Sequence, residues 1–422
     1  MIGKLARSSL QTTAVLALRL ATQAATLVLL TRLLQPALYG HYAAAASLAV
    51  VLGMLSSLGS GYVLLSRASG NLARAADTWR YAWPLTLAMG VVLILIYLPI
   101  ALWLTDAQLS LSTLLWLGCT ELLATPFTLL ASFVLQSSER VPLSQLVQWL
   151  PLGLRVAAVL PCFALPLEAR LPCYVVLQWS AGVIGVLVAW RIVRRHVPLT
   201  WQPRKPSGEE LRLGASYAAM LLVAANPSEL DKMAAVRLVG GPSAGIYTAG
   251  SRIMGALVMP VLAMLLAAQP RLFRHARDQA VTMRKLVLVL FGVALAWGIV
   301  SGAALAIASP WLTWIFGNDY ARTAHLMPWM AITAPFLSVR LAAGSVLVAT
   351  GHPLERVGFE LGGIACLLGG MLAFAPGYGV IGLVAAVIVA ELAMGIVGVL
   401  MVLRQLNRLK AVNGPESARA TL

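Results

Sequence analysis

The chain has 422 residues, of which 60% are hydrophobic and 11% charged, against about 25% charged in an ordinary soluble domain. So little charge cannot coat the globular domains that this length would suggest at about 150 residues each, whereas about 12 spans of roughly 20 residues would absorb the apolar side chains. Composition therefore excludes a soluble enzyme, a secreted disulfide scaffold and a disordered tail. It assigns most of the net charge of +16 to orientation-setting loops and leaves no call for nucleic acid as a partner.

Apolar runs predict spans near residues 10–30, 42–65, 82–104, 111–135, 146–166 and 172–192. A second set lies near 215–238, 245–268, 286–308, 326–350, 357–376 and 380–403. Lys4 and Arg7 precede the first run as they would in a signal peptide, but Arg19 in its middle and its length favour a retained helix. Between the two sets, Pro198, Pro203, Pro206 and Gly208 stand among basic residues, the composition of a flexible linker. The expected organisation is a six-helix bundle at 1–192, a cytoplasmic linker at 193–214, a second six-helix bundle at 215–403 and a cytoplasmic tail at 404–422. The linker is too short to fold a catalytic domain, so function must be built from helices and short loops.

With the amino terminus inside, 22 of the 31 Lys and Arg fall in inner loops and tails and 4 in outer loops. That asymmetry predicts both termini in the cytoplasm and an even number of spans. Trp79, Tyr81, Trp83, Trp103, Trp201, Trp311 and Trp314 sit at span ends, the place of interfacial anchors. All five histidines read as loop residues, which leaves no buried histidine relay. Cys119, Cys162, Cys173 and Cys366 show no metal spacing; Cys162 and Cys173 fall near one outer loop, either as a pair or as inert buried thiols. A Walker loop, a zinc motif and a Gly-x-Ser-x-Gly elbow are all missing, so neither enzyme chemistry nor a cofactor is expected.

Two segments repeat without a gap. Arg32-Leu33-Leu34 with Gly40, Tyr42 and Ala44 recurs as Arg237-Leu238-Val239 with Gly245, Tyr247 and Ala249, at an offset of 205 throughout. Six spans separate the copies, which predicts parallel halves about an axis along the membrane normal, an arrangement common in transporters.

Five basic residues remain inside spans (Arg19, Arg155, Lys232, Arg252, Arg340), with four acidic ones (Glu121, Glu229, Asp231, Glu391). By insertion scales each costs about 2.5–3.5 kcal/mol at a helix centre, so such residues turn toward a polar cavity or a partner. Two readings stay open: Arg19, Arg155, Arg252 and Arg340 form positive patches of a cavity, or arginines pair with acids, Glu121 with Arg155 and Glu391 with Arg340. In span seven, Asn226, Glu229 and Lys232 share one helix face while Asp231 points away. Pro227 is expected to kink this helix, which suits a gate or ion-coupling cluster of Asn226, Glu229, Asp231 and Lys232, joined by Glu121 and Glu391.

The stretch Thr31-Arg-Leu-Leu-Gln-Pro-Ala-Leu-Tyr-Gly-His-Tyr42 resembles the first-loop signature of polysaccharide flippases of the Wzx (O-antigen) type. These belong to the multidrug/oligosaccharidyl-lipid/polysaccharide (MOP) exporter superfamily. Asp231-Lys232 followed by Gly245-Ile-Tyr-Thr-Ala249, Ile315-Phe-Gly-Asn-Asp-Tyr320 with Ala324 and Leu326, and Gly379-Val-Ile-Gly382 are similar too. The resemblance implies an all-α membrane fold of about 12 helices, in two six-helix bundles around a central cavity that opens alternately to each side. It implies a bacterial inner-membrane flippase, not an enzyme, for a polyprenyl-pyrophosphate-linked oligosaccharide. A polysaccharide polymerase and chain-length proteins are candidate partners beside the lipid bilayer.

Arginine binds phosphate bidentately, which gives Arg19, Arg155, Arg252 and Arg340 their expected role at the pyrophosphate. A cation-coupled multidrug exporter of the same superfamily is the alternative. Five bases to four acids within the spans lean toward anionic cargo. A glycan polymerase or ligase fits less well, because every outer loop is short, and the Gly-x-x-x-Asp-Arg loop of twelve-span sugar transporters is not matched by Ser66–Trp79.

Overall fold

A computed structural model describes residues 2–68, 72–224, 227–278 and 280–412. Among them all regular secondary structure is helical, with no strand. Its contacts divide it into two units, Met1–Gly245 and Ile246–Leu422.

The first unit starts with α1 (Ile2–Gly53), α2 (Ser60–Ala68) and α3 (Leu72–Leu104). It continues with α4 (Leu111–Cys119), a π-helical turn (Thr120–Ala124), α5 (Thr125–Ser137), α6 (Val141–Val159) and α7 (Leu167–His196). Then come α8 (Gly208–Ala224) and α9 (Pro227–Leu257), the latter running into the second unit. α9 is described from Pro227, and the junction where the kink was expected, residues 225–226 with Asn226 among them, lies outside the described residues.

A straight helix as long as α1 would reach about 78 Å, far beyond a hydrocarbon core of about 30 Å. It is in fact two helices joined at Gln35, whose backbone is non-helical (φ 59°, ψ 167°). α9 breaks in the same conformation at Gly240 (φ 75°, ψ 166°). These two breaks are 205 residues apart, the offset of the sequence repeat, so the repeat has a common backbone geometry. The two turns also touch reciprocally. A Cβ on Gly40 would collide with the carbonyl oxygen of Gly241, and a Cβ on Gly245 with that of Pro36, so each glycine faces the counterpart of its own turn. Arg170 secures the first turn by donating to Leu33 O at 3.1 Å and Leu165 O at 3.0 Å.

The segment between α7 and α8, read from its composition as a linker, packs against the first unit as a strap. Trp201 packs 4.2 Å from Trp190, 5.3 Å from Trp83 and 5.8 Å from Trp79, by ring centroids. The Arg204 N–H donates to Arg80 O at 3.0 Å, and Arg80 Nε donates to Gln202 O at 3.1 Å. Trp79 and Tyr81 are consequently core residues, 2% and 1% exposed, because the strap covers the place where lipid headgroups were expected. Trp103, Trp311 and Trp314 remain exposed, as anchors should.

The second unit holds α10 (Met259–Asp278), α11 (Ala280–Ala308), α12 (Leu312–Phe316), α13 (Ala321–Ala331), α14 (Thr333–Ala349) and α15 (Pro353–Val412). α15 is a hairpin turning at Gly379, whose positive φ of 57° suits glycine. Its arms meet antiparallel: a Cβ on Gly382 would strike Phe374 O, one on Gly370 would lie 3.2 Å from Ala386 Cβ, and one on Gly363 would strike Met394.

Among the described residues, eight helices are long and apolar enough to cross a bilayer, and the bent pair Asn318–Ala331 and Thr333–Ala349 makes a ninth. Three of the nine contain the breaks at Gln35, Gly240 and Gly379, and dividing them there yields about twelve segments. Their outward faces carry exposed Leu95, Val300 and Ile307, surface that only lipid covers cheaply. The protein is a multi-pass, all-α membrane protein. Its four cysteines are free. His41 lies within α1 and His325 within α13, so the histidines are not confined to loops as expected.

Candidate functional site

The site grows out of one irregular turn. Pro126 cannot donate a hydrogen bond to Leu122 O, and its ring crowds that carbonyl. The backbone answers by widening into the π turn Thr120–Ala124, a device common at functional positions. Three other helices make room for it with glycines. A Cβ on Gly53 of α1 would lie 3.0 Å from Glu121 O, one on Gly90 of α3 2.6 Å from Leu122 O, and one on Gly182 of α7 2.9 Å from Ala124 Cβ.

The wide turn presents Glu121, 9% exposed, to three donors. Arg155 Nη1 of α6 lies 2.8 Å from Glu121 Oε1, Gln178 Nε2 donates to Oε1 at 3.1 Å, and Thr125 Oγ1 donates to Oε2 at 3.1 Å. Arg155 Nη2 also donates to Thr125 Oγ1 at 3.2 Å. Its Nε is buried without a hydrogen-bond acceptor among the described residues. Behind the cluster, Tyr42 OH donates to Gln178 Oε1 at 3.3 Å, which orients the amide so that its NH2 faces the acid.

This cluster forms one wall of a cavity of about 210 Å³ lined by Arg19, Glu121, Thr125, Thr128, Gln148 and Arg155, among others. Arg19 Nη1 donates to Gln148 Oε1 at 3.2 Å, and Gln148 Nε2 donates to Ser132 Oγ at 2.6 Å. Among the described residues Arg19 has no carboxylate partner. Two guanidinium groups thus face one carboxylate, a lining with a net charge of +1. By the sign of its charge a cavity so lined favours an anion over a cation.

The remaining expected residues lie elsewhere. Ser47 Oγ donates to Glu229 Oε2 at 2.6 Å, Lys232 Nζ lies 3.9 Å from Glu229 and 3.3 Å from Asp231, and Asp231 and Lys232 are buried. Glu229, Asp231 and Lys232 therefore do form one cluster, in the first unit. Arg340 Nε pairs with Glu391 Oε2 at 2.9 Å in the second unit, both buried. Arg252 is exposed on α9. Both expected acid–base pairs thus form, and of the four proposed arginines the structure brings Arg19 and Arg155 to one cavity. A census of charges could not find Gln148, Gln178, Thr125 and Tyr42; amides inside apolar runs were the available signal.

The fold and its charged interior define a multi-pass membrane protein with the architecture of MOP-superfamily transporters. An inward-facing multidrug resistance MATE transporter of that superfamily matches 94% of this chain and 96% of its own with a TM-score of 0.81 at 15% identity. The outward-facing conformation gives a TM-score of 0.64 at 16% identity over 95% and 96%. A MOP-superfamily transporter from Pyrococcus furiosus, described as having a binding pocket of reverse polarity that suggests a different function, gives 0.59 at 16% identity over 97% and 96%. Residues 8–275 match the polysaccharide biosynthesis protein family, and the chain belongs to it. Curated protein sequences give no match.

Proposed function

We propose that the protein is a flippase that moves a polyprenyl-pyrophosphate-linked oligosaccharide from the inner to the outer leaflet by alternating access, for O-antigen, capsule or exopolysaccharide synthesis. The observation that carries this reading is the cavity in which, among the described residues, Arg19 and Arg155 face one acid, Glu121. A sugar-pyrophosphate head cannot enter hydrocarbon without replacing its hydration, and guanidinium forks replace it with paired charge-assisted hydrogen bonds. The family supports a glycan-linked cargo. In this reading the bundles 1–192 and 215–403 are the moving halves, 193–214 and the tail 404–422 face the cytoplasm of a bacterial inner membrane, and a polymerase takes the product. Arg252 and Arg340 are further cargo contacts, and Glu229, Asp231, Lys232, Asn226 and Glu391 serve gating.

A strain deleted for the gene should accumulate a lipid-linked glycan on the cytoplasmic side, and mass analysis of that lipid names the cargo. The wild-type gene should clear it, whereas Arg19→Ala and Arg155→Ala, expressed at wild-type level, should leave roughly 10% or less of the flux, since each removes a charge-assisted contact. Full flux in both variants would overturn the assignment. Drug efflux with no glycan phenotype would favour a multidrug exporter.

A further inference from the structure

We infer that Glu121 is a resident stand-in for the cargo's phosphate: it occupies the anion seat of Arg155 and must yield that seat when cargo binds. This rests on the anionic-cargo reading above and deepens it. The geometry differs at the two arginines. Among the described residues Arg19 is held by the neutral amide of Gln148 alone, which leaves its charge available. Arg155 spends Nη1 on Glu121 and Nη2 on Thr125. A phosphate oxygen can reach the strongest donors of Arg155 only by displacing the Glu121 carboxylate.

The surroundings allow that exchange. Glu121 also accepts from Gln178 and Thr125, so it keeps two donors after the arginine leaves and is not stranded as a bare buried charge. Arg155 Nε already lacks an acceptor, which makes the guanidinium an incompletely satisfied group that gains a partner from an entering anion. The charge arithmetic also closes. Without cargo the lining carries +1. A bound pyrophosphate makes it negative, and that repulsion on Glu121 is relieved when the anion departs. Glu121 then reclaims Arg155. The acid thereby weakens binding and speeds release, which a carrier requires, since a seat that holds its cargo too tightly does not turn over.

The test measures binding to purified full-length protein in lipid nanodiscs, with farnesyl pyrophosphate and inorganic pyrophosphate as separate probes, beside glycan flux in cells. Glu121→Gln should bind farnesyl pyrophosphate about tenfold more tightly than wild type while flux falls. Glu121→Asp, which keeps the charge on a shorter arm, should lie between the two, and it alone must tighten binding if the glutamine variant does not fold. Equal or weaker binding in folded variants refutes the exchange and leaves the cargo reading intact, provided wild type binds and Arg19→Ala does not. Failure of wild type to bind either probe refutes both. Tightening for farnesyl pyrophosphate alone supports a lipid-borne head, and equal tightening for inorganic pyrophosphate supports a seat for free phosphates; either outcome upholds the exchange.

Discussion

Glu210 shows how one side chain holds a whole strap in place. Burial pushes its carboxyl upward, but hydrogen bonds from Arg204 and the Ser207 N–H outweigh burial and hold it below its ordinary value. Arg204 in turn is raised, chiefly by its bond to Glu210, and its guanidinium lies 5.1 Å above the Tyr81 ring. A carboxyl depressed by folding stabilises the folded form fully above its unfolded value, near 4.3, and loses that contribution as pH falls through the folded value. The strap should therefore loosen only in acid below about pH 4. Acrylamide quenching, taken as the difference between wild type and Trp201→Phe, should rise there, and Glu210→Gln should show the loosened level already at neutral pH with no acid transition. The residues of the cavity were partly legible without coordinates. A charge inside an apolar run is conspicuous, which exposed Arg19, Glu121 and Arg155. Gln148 and Gln178 were not, because an amide costs less in a helix and stands out less, although it is these amides that orient the charged groups.

Helix breaks decide where those residues point. The two turns at Gln35 and Gly240 press backbone to backbone through Gly40 and Gly245, and no side chain lies between that could give way. Gly40→Ala or Gly245→Ala should consequently destabilise the protein by about 1–3 kcal/mol or more, the cost of overpacking, seen as a lower thermal midpoint in detergent. Gly255 in α9 is the control. A Cβ there meets nothing within 4 Å, so Gly255→Ala should stabilise by about 0.5–1 kcal/mol through helix propensity. Equal effects at all three sites would mean that the turns are not in close contact. Run lengths marked the chain as membrane-spanning, and the 205-residue offset matched these turns to one another, because a repeated backbone need leaves a repeated glycine. The π turn was hidden. Thr120–Ala124 reads as ordinary helix, and only Pro126, five residues after Glu121, hinted that the ladder of hydrogen bonds is reset.

At the scale of the molecule, the sequence predicts an orientation that the fold alone does not. Exposed apolar faces such as those bearing Leu95 and Val300 establish that the helices lie in lipid, but they are indifferent to which end is inside. The distribution of Lys and Arg breaks that symmetry, since positive loops are retained on the cytoplasmic side. The end of α7 together with the strap is the richest stretch, with Arg191, Arg194, Arg195, Arg204 and Lys205 close together. Glu168, at the start of α7, and Asp319, before α13, fall on the opposite side by the same reading, and both are exposed. This can be measured in a background with Cys119, Cys162, Cys173 and Cys366 replaced by alanine and glycan flux retained. Glu168→Cys and Asp319→Cys should react with a membrane-impermeant maleimide on intact spheroplasts, whereas Lys205→Cys should react only after permeabilisation. The reverse pattern would invert the protein and, in the function proposed above, the direction of transport, since a cargo made in the cytoplasm would then meet the Arg19 cavity from the side opposite the strap.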